Sequence, residues 1–214
     1  MLIKQGGAGG GVDAGNRPNI TFDGKWSGWY VDFYGEKAYW EAVFYTSGTL
    51  SVKSPCVADA WAIGAGGHAV GYATASVYGR RGSCAQANGL SLSGGLAVTI
   101  GAGVDGANSN FTGGTTSLGS LVSAAGGDGK STTPSGTPYR FADPDKAGEQ
   151  GENGAANGSR YGLSQGGWMH WRTRDTDGAG YGAGVAYETT AGTSPDMAKR
   201  TSSHSGALVL RIAA

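Results

Sequence analysis

Short runs of alternating apolar and polar residues are separated, along this chain, by tracts that carry almost no side chains. Gly48-Thr49-Leu50-Ser51-Val52-Lys53 places Leu50 and Val52 on one face, and Val57 to Ile63 alternates again. Further on, Leu96, Val98 and Ile100 share a face, as do Leu208, Leu210 and Ile212. A period of two, bounded by turn residues, predicts antiparallel strands of a sandwich. Nowhere does an apolar period of 3.6 persist for three turns between caps, so no helix is predicted.

The stretch Asp59-Ala60-Trp61-Ala62-Ile63-Gly64-Ala65-Gly66-Gly67-His68 starts as a strand and then runs straight into glycine. Glycine recurs every third residue in short bursts: Gly64 and Gly67; Gly79 and Gly82; Gly103 and Gly106; Gly126 and Gly129; Gly148, Gly151 and Gly154. Three residues per turn is the period of the left-handed polyproline II helix, which makes no hydrogen bonds within itself. Collagen shares that period but needs long unbroken triplets and abundant proline, whereas this chain has only 6 prolines. Slack loops are the alternative, because glycine loses the most backbone entropy on ordering. Strands precede, interrupt and follow the tracts, so the ends of each are anchored. The pattern therefore predicts an all-β fold, a β-sandwich or jelly-roll-like sheet, joined to a glycine-rich layer of packed polyproline II-type helices. Bare glycine faces would let backbones approach and bond to one another, as buried backbone groups must.

Composition sharpens this picture. Glycine makes up 42 of 214 residues, far above its usual share of about 7%. The formal net charge is zero and charged residues are 15%, without the basic excess of a nucleic-acid surface. No apolar run reaches the roughly 18 residues of a membrane span, and the N-terminus lacks the apolar core of a signal peptide. The expectation is a protein made in a cytoplasm, with no nucleic-acid partner and no membrane insertion. Two cysteines, Cys56 and Cys84, do not make a disulfide scaffold.

Residues 1–25 are polar and glycine-rich. Residues 26–46 then gather Trp26, Trp29, Tyr30, Phe33, Tyr34, Tyr39, Trp40, Phe44 and Tyr45. Interfaces are enriched in such residues. Trp26, Trp29, Tyr30, Phe33, Tyr34 and Trp40 are thus candidates for an oligomer or attachment interface. The expected division is an N-terminal attachment and oligomerisation segment, 1–46, followed by a glycine-rich β-sandwich domain, 47–214.

Catalytic and metal signatures are weak. His68, His170 and His204 have no metal-like spacing, no nucleophile elbow is present, and no phosphate-binding loop leads into a helix. The pairs Asp143/Asp145 and Asp175/Asp177 read as turn residues. No catalytic residue, cofactor or metal is expected. The best recognition candidates are Trp168, His170, Trp171, Arg172 and Arg174, with Tyr139, Arg140 and Phe141 as a second group. Aromatic and Arg side chains dominate recognition hot spots, and Arg grips phosphate or carboxylate. Plugging a gap in the core or a seam between subunits is the alternative role for Trp168 and Trp171.

In order along the chain, SGTLSVKSPCVADAWAIGAGG, LAVTIGAGVDG, GGTTSLGSLVSAAGGDG and GALVLRI resemble the glycine-rich domain of bacteriophage and prophage tail proteins. The resemblance covers about Ser47 to Ile212. A looser similarity links it to the glycine-rich ectodomain region of certain receptor tyrosine kinases. The departures are His68-Ala69-Val70 and the non-glycine insertions at 130–147 and 168–177. The phage resemblance implies a non-enzymatic virion protein of tail-fibre or tail-tip type, contributing to host-surface receptor binding. It implies a homo-oligomer, often a trimer, attached to other virion proteins through the N-terminal segment, with a host glycan or protein as partner. A capsid decoration or head-fibre protein and a surface-glycan depolymerase are the alternatives.

Overall fold

The computed structural model describes residues 2–5, 18–32, 38–68, 77–104, 111–129, 139–140, 163–165, 168–169, 181–182, 184–187 and 203–213. Among them there is no helix. The strands are β1 (Leu2–Gln5), β2 (Ile20–Phe22), β3 (Trp26–Asp32), β4 (Ala38–Phe44), β5 (Gly48–Ile63), β6 (Val77–Tyr78), β7 (Cys84–Thr99), β8 (Thr116–Leu118), β9 (Val122–Ala124), β10 (Tyr139–Arg140), β11 (Leu163–Gln165), β12 (Trp168–Met169), β13 (Gly184–Tyr187) and β14 (Ala207–Ala213). Nine of them form one antiparallel sheet in the order β1-β3-β4-β14-β5-β7-β8-β9, with β2 paired to β5 off that path. The C-terminal strand β14 lies between β4 and β5, with Leu210 opposite Ala42 on one side and Ala60 on the other. The boundary expected at 46/47 therefore falls between two strands that flank the same neighbour.

β5 and β7 form a ribbon whose strands are 16 residues each. A straight strand of that length would span about 50 Å. Yet the ribbon's two ends lie together. The Ile100 N–H, just past β7, donates to Ser47 Oγ at 2.9 Å. Gly101 in turn sits against Ala65, just past the other end of β5, so closely that an added Cβ would lie 3.2 Å from the Ala65 nitrogen. The ribbon must therefore fold back. Register shifts between Val52 and Cys56 and between Ala58 and Ala60 supply the bends, and Gly89 and Gly94 adopt positive φ on the facing strand. One half of the ribbon pairs with β14 and the other with β2.

The folded ribbon encloses the larger apolar core. Leu50, Val52, Leu92 and Val98 pack in the same cluster as Leu208, Leu210, Ile212 and Phe44. Phe22 of β2 meets the Phe44 ring edge-on at 4.8 Å, although β2 and β4 are not paired. Trp26 stacks on the other flank of Phe44 at 6.0 Å. Leu50, Val52, Leu96, Val98, Leu208, Leu210 and Ile212 are where their alternation predicts, and Leu96 and Ile100 are half-buried against the same core. Two details differ from expectation. Val57 is 54% exposed, because it lies on the face of β5 opposite Leu50, Val52, Ala58, Ala60 and Ala62, and the second cluster that covers this face at Trp61 and Ile63 does not extend to it. β14 is buried on both faces, since Ala207 and Val209 belong to a second cluster with Val43, Trp61 and Ile63.

That second face also holds a buried ion pair. Arg211 stands opposite Glu41 of β4 and Asp59 of β5. Its Nε donates to Glu41 Oε2 at 2.7 Å, with the side chains 9% and 0% exposed. Its guanidinium lies 5.1 Å from the Tyr39 ring centre and 4.8 Å from that of Trp61. A planar cation between two rings and a carboxylate is fixed in direction, which suits Arg and not Lys. Cys56 and Cys84 are both free thiols. Burial disfavours the thiolate of each, raising the pKa of Cys56 and pushing that of Cys84 up to about 12.

Two outcomes follow from this packing. Glu41→Gln should lose about 3–5 kcal/mol in urea unfolding because it strands the buried guanidinium, whereas the double change Glu41→Leu with Arg211→Met should lose clearly less. In alkali, the unfolded chain ionises Cys84 from about 9.0 upward but the native protein only near 12, so that stability is whole below the first value and declines toward the second. Urea midpoints across that window should fall more steeply for the wild type than for Cys84→Ala.

Candidate functional site

Beyond the sheet, the connections between strands bond to one another. The tract 64–68 continues β5 without a break. Its N–H groups donate in turn to Ser83 at 2.9 Å, Gly114 at 3.0 Å, His204 at 2.9 Å, Arg80 at 2.8 Å and Phe111 at 3.0 Å. The acceptors thus belong to 79–83, 111–115, 203–206, and then to 79–83 and 111–115 again. A strand would alternate between two sides and a helix would bond to itself; this backbone turns through three directions and repeats.

The neighbouring tracts close around it. Arg80 and Ser83 donate to Asp128 and Ala125, Gly113 to Gly127, and Gly114 to Ala102. Ser203 and Gly206 donate to Val104 and Gly101, Gly182 to Ser205, and Gly82 to Gly182. Going round, 79–83, 125–129, 111–115, 101–104, 203–206 and 181–182 are each bonded to the next, and the last returns to the first. Tract 64–68 sits inside this ring, and the Gly127 N–H reaches inward to its Ala65 carbonyl at 2.8 Å. Two side chains finish the bonding where glycine runs out. Ser203 Oγ accepts from the Val104 N–H and donates to the Gly66 carbonyl, both at 2.6 Å. Thr116 Oγ1 accepts from the Gly101 N–H at 2.9 Å.

The spacing leaves no room for side chains. A Cβ at Gly82 would overlap the Gly64 carbonyl, one at Gly126 the Gly113 carbonyl, and one at Gly67 the Asp128 carbonyl. Backbone on both sides of such a contact cannot rotate away. The expected lattice positions Gly64, Gly67, Gly103, Gly126 and Gly129 fall in these tracts; Gly106, Gly148, Gly151 and Gly154 lie outside the described residues. Tract 203–206 was not legible from glycine spacing, because it carries a single glycine and uses Ser203 instead.

The bundle has two ends. Residues 64, 83, 101, 115, 125 and 206 adjoin the sheet. Residues 68, 79, 104, 111, 129 and 203 mark the other end, about 12 Å away at the rise of an extended three-fold backbone. His68 is buried there, and Arg80 and Asp128 form an exposed ion pair at 3.4 Å. The stretches 69–76 and 105–110 leave and return at this end. The long stretch after Gly129, which carries both groups of recognition candidates, leaves there too and returns at Tyr181, whose ring lies 6.4 Å from that of Tyr45. Tyr78 and Val77 pair with Ala186 and Tyr187, in the same antiparallel register as the Gly82–Gly182 bond.

The two groups of candidates meet. β10 and β12 pair in parallel, with Tyr139 opposite Trp168 and Arg140 opposite Met169. Phe141, His170, Trp171, Arg172 and Arg174 lie outside the described residues, as do Asp143, Asp145, Asp175 and Asp177. Of the interface candidates, Trp40 is buried in the core, while Trp26 and Tyr30 are half-buried against it. Tyr30 is 5.5 Å from the Trp40 ring. Trp29 lies in β3 opposite Gln5 and Glu41, and Phe33 and Tyr34 are outside the described residues. Among the described residues no group of His, Cys, Asp and Glu could hold a metal, and no helix is long and apolar enough to cross a membrane. Comparison with protein-family models, curated proteins and solved structures finds no match to this chain.

The tract spacing makes a sharp contrast. Gly82→Ala or Gly126→Ala should lower stability by about 3 kcal/mol, since overlap with backbone cannot be relieved by rotamer change. Gly95→Ala, whose nearest neighbour would be Thr49 Cγ2 at 3.9 Å, should change it by less than about 0.5 kcal/mol in the same denaturation assay.

Proposed function

We propose that this chain is a structural protein of a bacteriophage virion, of tail-fibre or tail-tip type, contributing to host-surface recognition. The observation that carries the reading is the bundle with two unlike ends. One end is tied strand by strand to the sheet, and the other is where the non-glycine insertions leave the tracts. A rigid scaffold with variable loops at one end is the general arrangement of binding proteins.

The finer architecture belongs to the same reading. The folded ribbon with its enclosed core is a β-sandwich. The three-direction bonding of 64–68 within its ring is a layer of packed polyproline II-type helices. Such a layer satisfies backbone groups without apolar side chains. The resemblance of the ordered motifs to phage tail glycine-rich domains supports the same assignment. Residues 1–17 and the β3 aromatics Trp26 and Tyr30 are the proposed means of attachment to itself or to other virion proteins.

Recognition is proposed at the Tyr139–Trp168 pair and the Arg residues beside it, with a host-surface glycan or protein as the partner. Stacking of sugar rings on Trp and Tyr faces and Arg contacts to anionic groups are the chemistry on offer. Antibody labelling of phage particles recovered from a bacterium carrying this sequence should decorate the tail end. Labelling of the head would move the assignment to a capsid decoration protein, and absence from purified particles would overturn it. In an adsorption assay, the purified protein should compete with phage for host cells. The Arg140→Ala with Trp168→Ala variant should compete at least tenfold less well at unchanged thermal midpoint, a loss in keeping with two hot-spot side chains.

A further inference from the structure

At one of its bends, the ribbon sets two residues of β7 against one of β5. Ala60 pairs with Ala87 and Ala58 with Leu90, so Asp59 has both Asn88 and Gly89 opposite it. Such a bulge releases its residues from the ladder and turns the strand. Gly89 takes a φ of +64°, and a Cβ built on it would meet nothing within 4 Å. Asn88 and Gly89 are both exposed, so water reaches the pair.

An Asn followed by Gly is open to attack by its own backbone. The amide nitrogen of the glycine lies one ring closure from the side-chain Cγ of the asparagine, and no Cβ shields it. In an ordinary strand this chemistry is suppressed, because the N–H is bound to a carbonyl oxygen, too weak a base to take its proton. Here the acceptor is a carboxylate: the Gly89 N–H donates to Asp59 Oδ1 at 2.8 Å. The group under attack is held as well. Gln86 Nε2 donates to Asn88 Oδ1 at 2.8 Å, where it polarises the amide and supports negative charge as it forms on that oxygen. A base on the nucleophile and a donor on the electrophile are the two aids that acyl transfer needs.

We propose that Asn88-Gly89 is a self-modification site, with Asp59 as general base and Gln86 as the donor to the developing oxyanion. The Gly89 N–H proton passes to Asp59 and the nitrogen bonds to Asn88 Cγ. The Cγ–Nδ2 bond breaks, and the amide group leaves as ammonia with the proton returned by Asp59. Water then opens the cyclic imide at either carbonyl, leaving an aspartyl or an isoaspartyl residue at position 88. Nothing is oxidised or reduced, and water is the only co-reactant. Loss of ammonia makes the change irreversible. Each molecule thus gains, with age, a second carboxylate beside Asp59 at the bend of the ribbon. This chemistry does not depend on where in a particle the chain resides.

Peptide mapping by mass spectrometry of the full chain, held at neutral pH and sampled over time, tests it. The chain carries its own references: Asn153-Gly154 and Asn157-Gly158 are the same dipeptide, outside the described residues. Position 88 should lose ammonia at least tenfold faster in the native protein than in the urea-unfolded chain, the reverse of the protection that strand structure gives. Asp59→Asn, whose side-chain oxygen can still accept the Gly89 N–H but cannot take its proton, should slow position 88 at least tenfold. Gln86→Ala, at an exposed position, should slow it about threefold. Positions 153 and 157 should react at the wild-type rate in both variants, and amide exchange at Gly89 should show the bulge intact in Asp59→Asn. A native wild type that reacts at position 88 no faster than the unfolded chain overturns the proposal. So does an Asp59→Asn variant that reacts there as fast as the wild type.

Discussion

Every buried N–H and C=O needs a partner, and a chain without side chains has little to offer except other backbone. That requirement organises this protein. The tracts beyond the sheet bury too little apolar surface to be held by hydrophobic contact. They are held because Gly64, Ala65, Gly66, Gly67 and His68 each donate to a different neighbour in turn. A net hydrogen bond is worth only about 1 kcal/mol, but an unmade one in a buried place costs more than that. Losing a single tract would thus orphan donors and acceptors on several others. The ring of tracts is cooperative for this reason, and glycine is its condition: the Gly64, Gly113 and Asp128 carbonyls occupy the space that a Cβ at Gly82, Gly126 or Gly67 would fill.

The sheet provides what the tracts lack. Fixing glycine backbone costs about 1–2 kcal/mol per residue, at the upper end for glycine. That cost is met only where strand ends already hold the tract ends close. β5 delivers 64–68, β7 receives 79–83 and releases 101–104, β8 receives 111–115, β9 releases 125–129, and β14 receives 203–206. The fold-back of the β5–β7 ribbon is what brings those ends to one side of the molecule. Without the register shifts near Val52 and Ala58, the tracts would start some tens of ångströms apart and could not meet. The bends in the sheet and the bonding in the bundle are one solution.

Much of this was legible in the sequence, and the reasons are local. Period-two alternation placed Leu50, Val52, Leu96, Val98, Leu208, Leu210 and Ile212 inward, because burial on one face leaves that trace. Gly64, Gly67 and Gly126 stand out in the sequence by their spacing, and an added Cβ at each would meet the backbone of a neighbouring tract. What was hidden is non-local. Nothing around Val57 announces that the cluster covering Trp61 and Ile63 on the same face stops short of it. The Glu41–Arg211 pair spans 170 residues and reads locally as two ordinary charges in strands. Ser203-His204-Ser205-Gly206 has no triplet, since a serine hydroxyl does there what a closer backbone does elsewhere. The meeting of Tyr139 with Trp168 depends on a parallel pairing across a long insertion, for which no spacing rule exists.

The two halves of the molecule differ in how they tolerate change. In the apolar core, a methyl group more or less can be absorbed by neighbouring rotamers at a cost of roughly 1–3 kcal/mol. In the bundle there are few rotamers to move, so the tract glycines have almost no permitted substitutions. The inter-tract bonds reach as far as His68 and Val104. The intolerance of the tracts thus arises from the absence of side chains rather than from their arrangement.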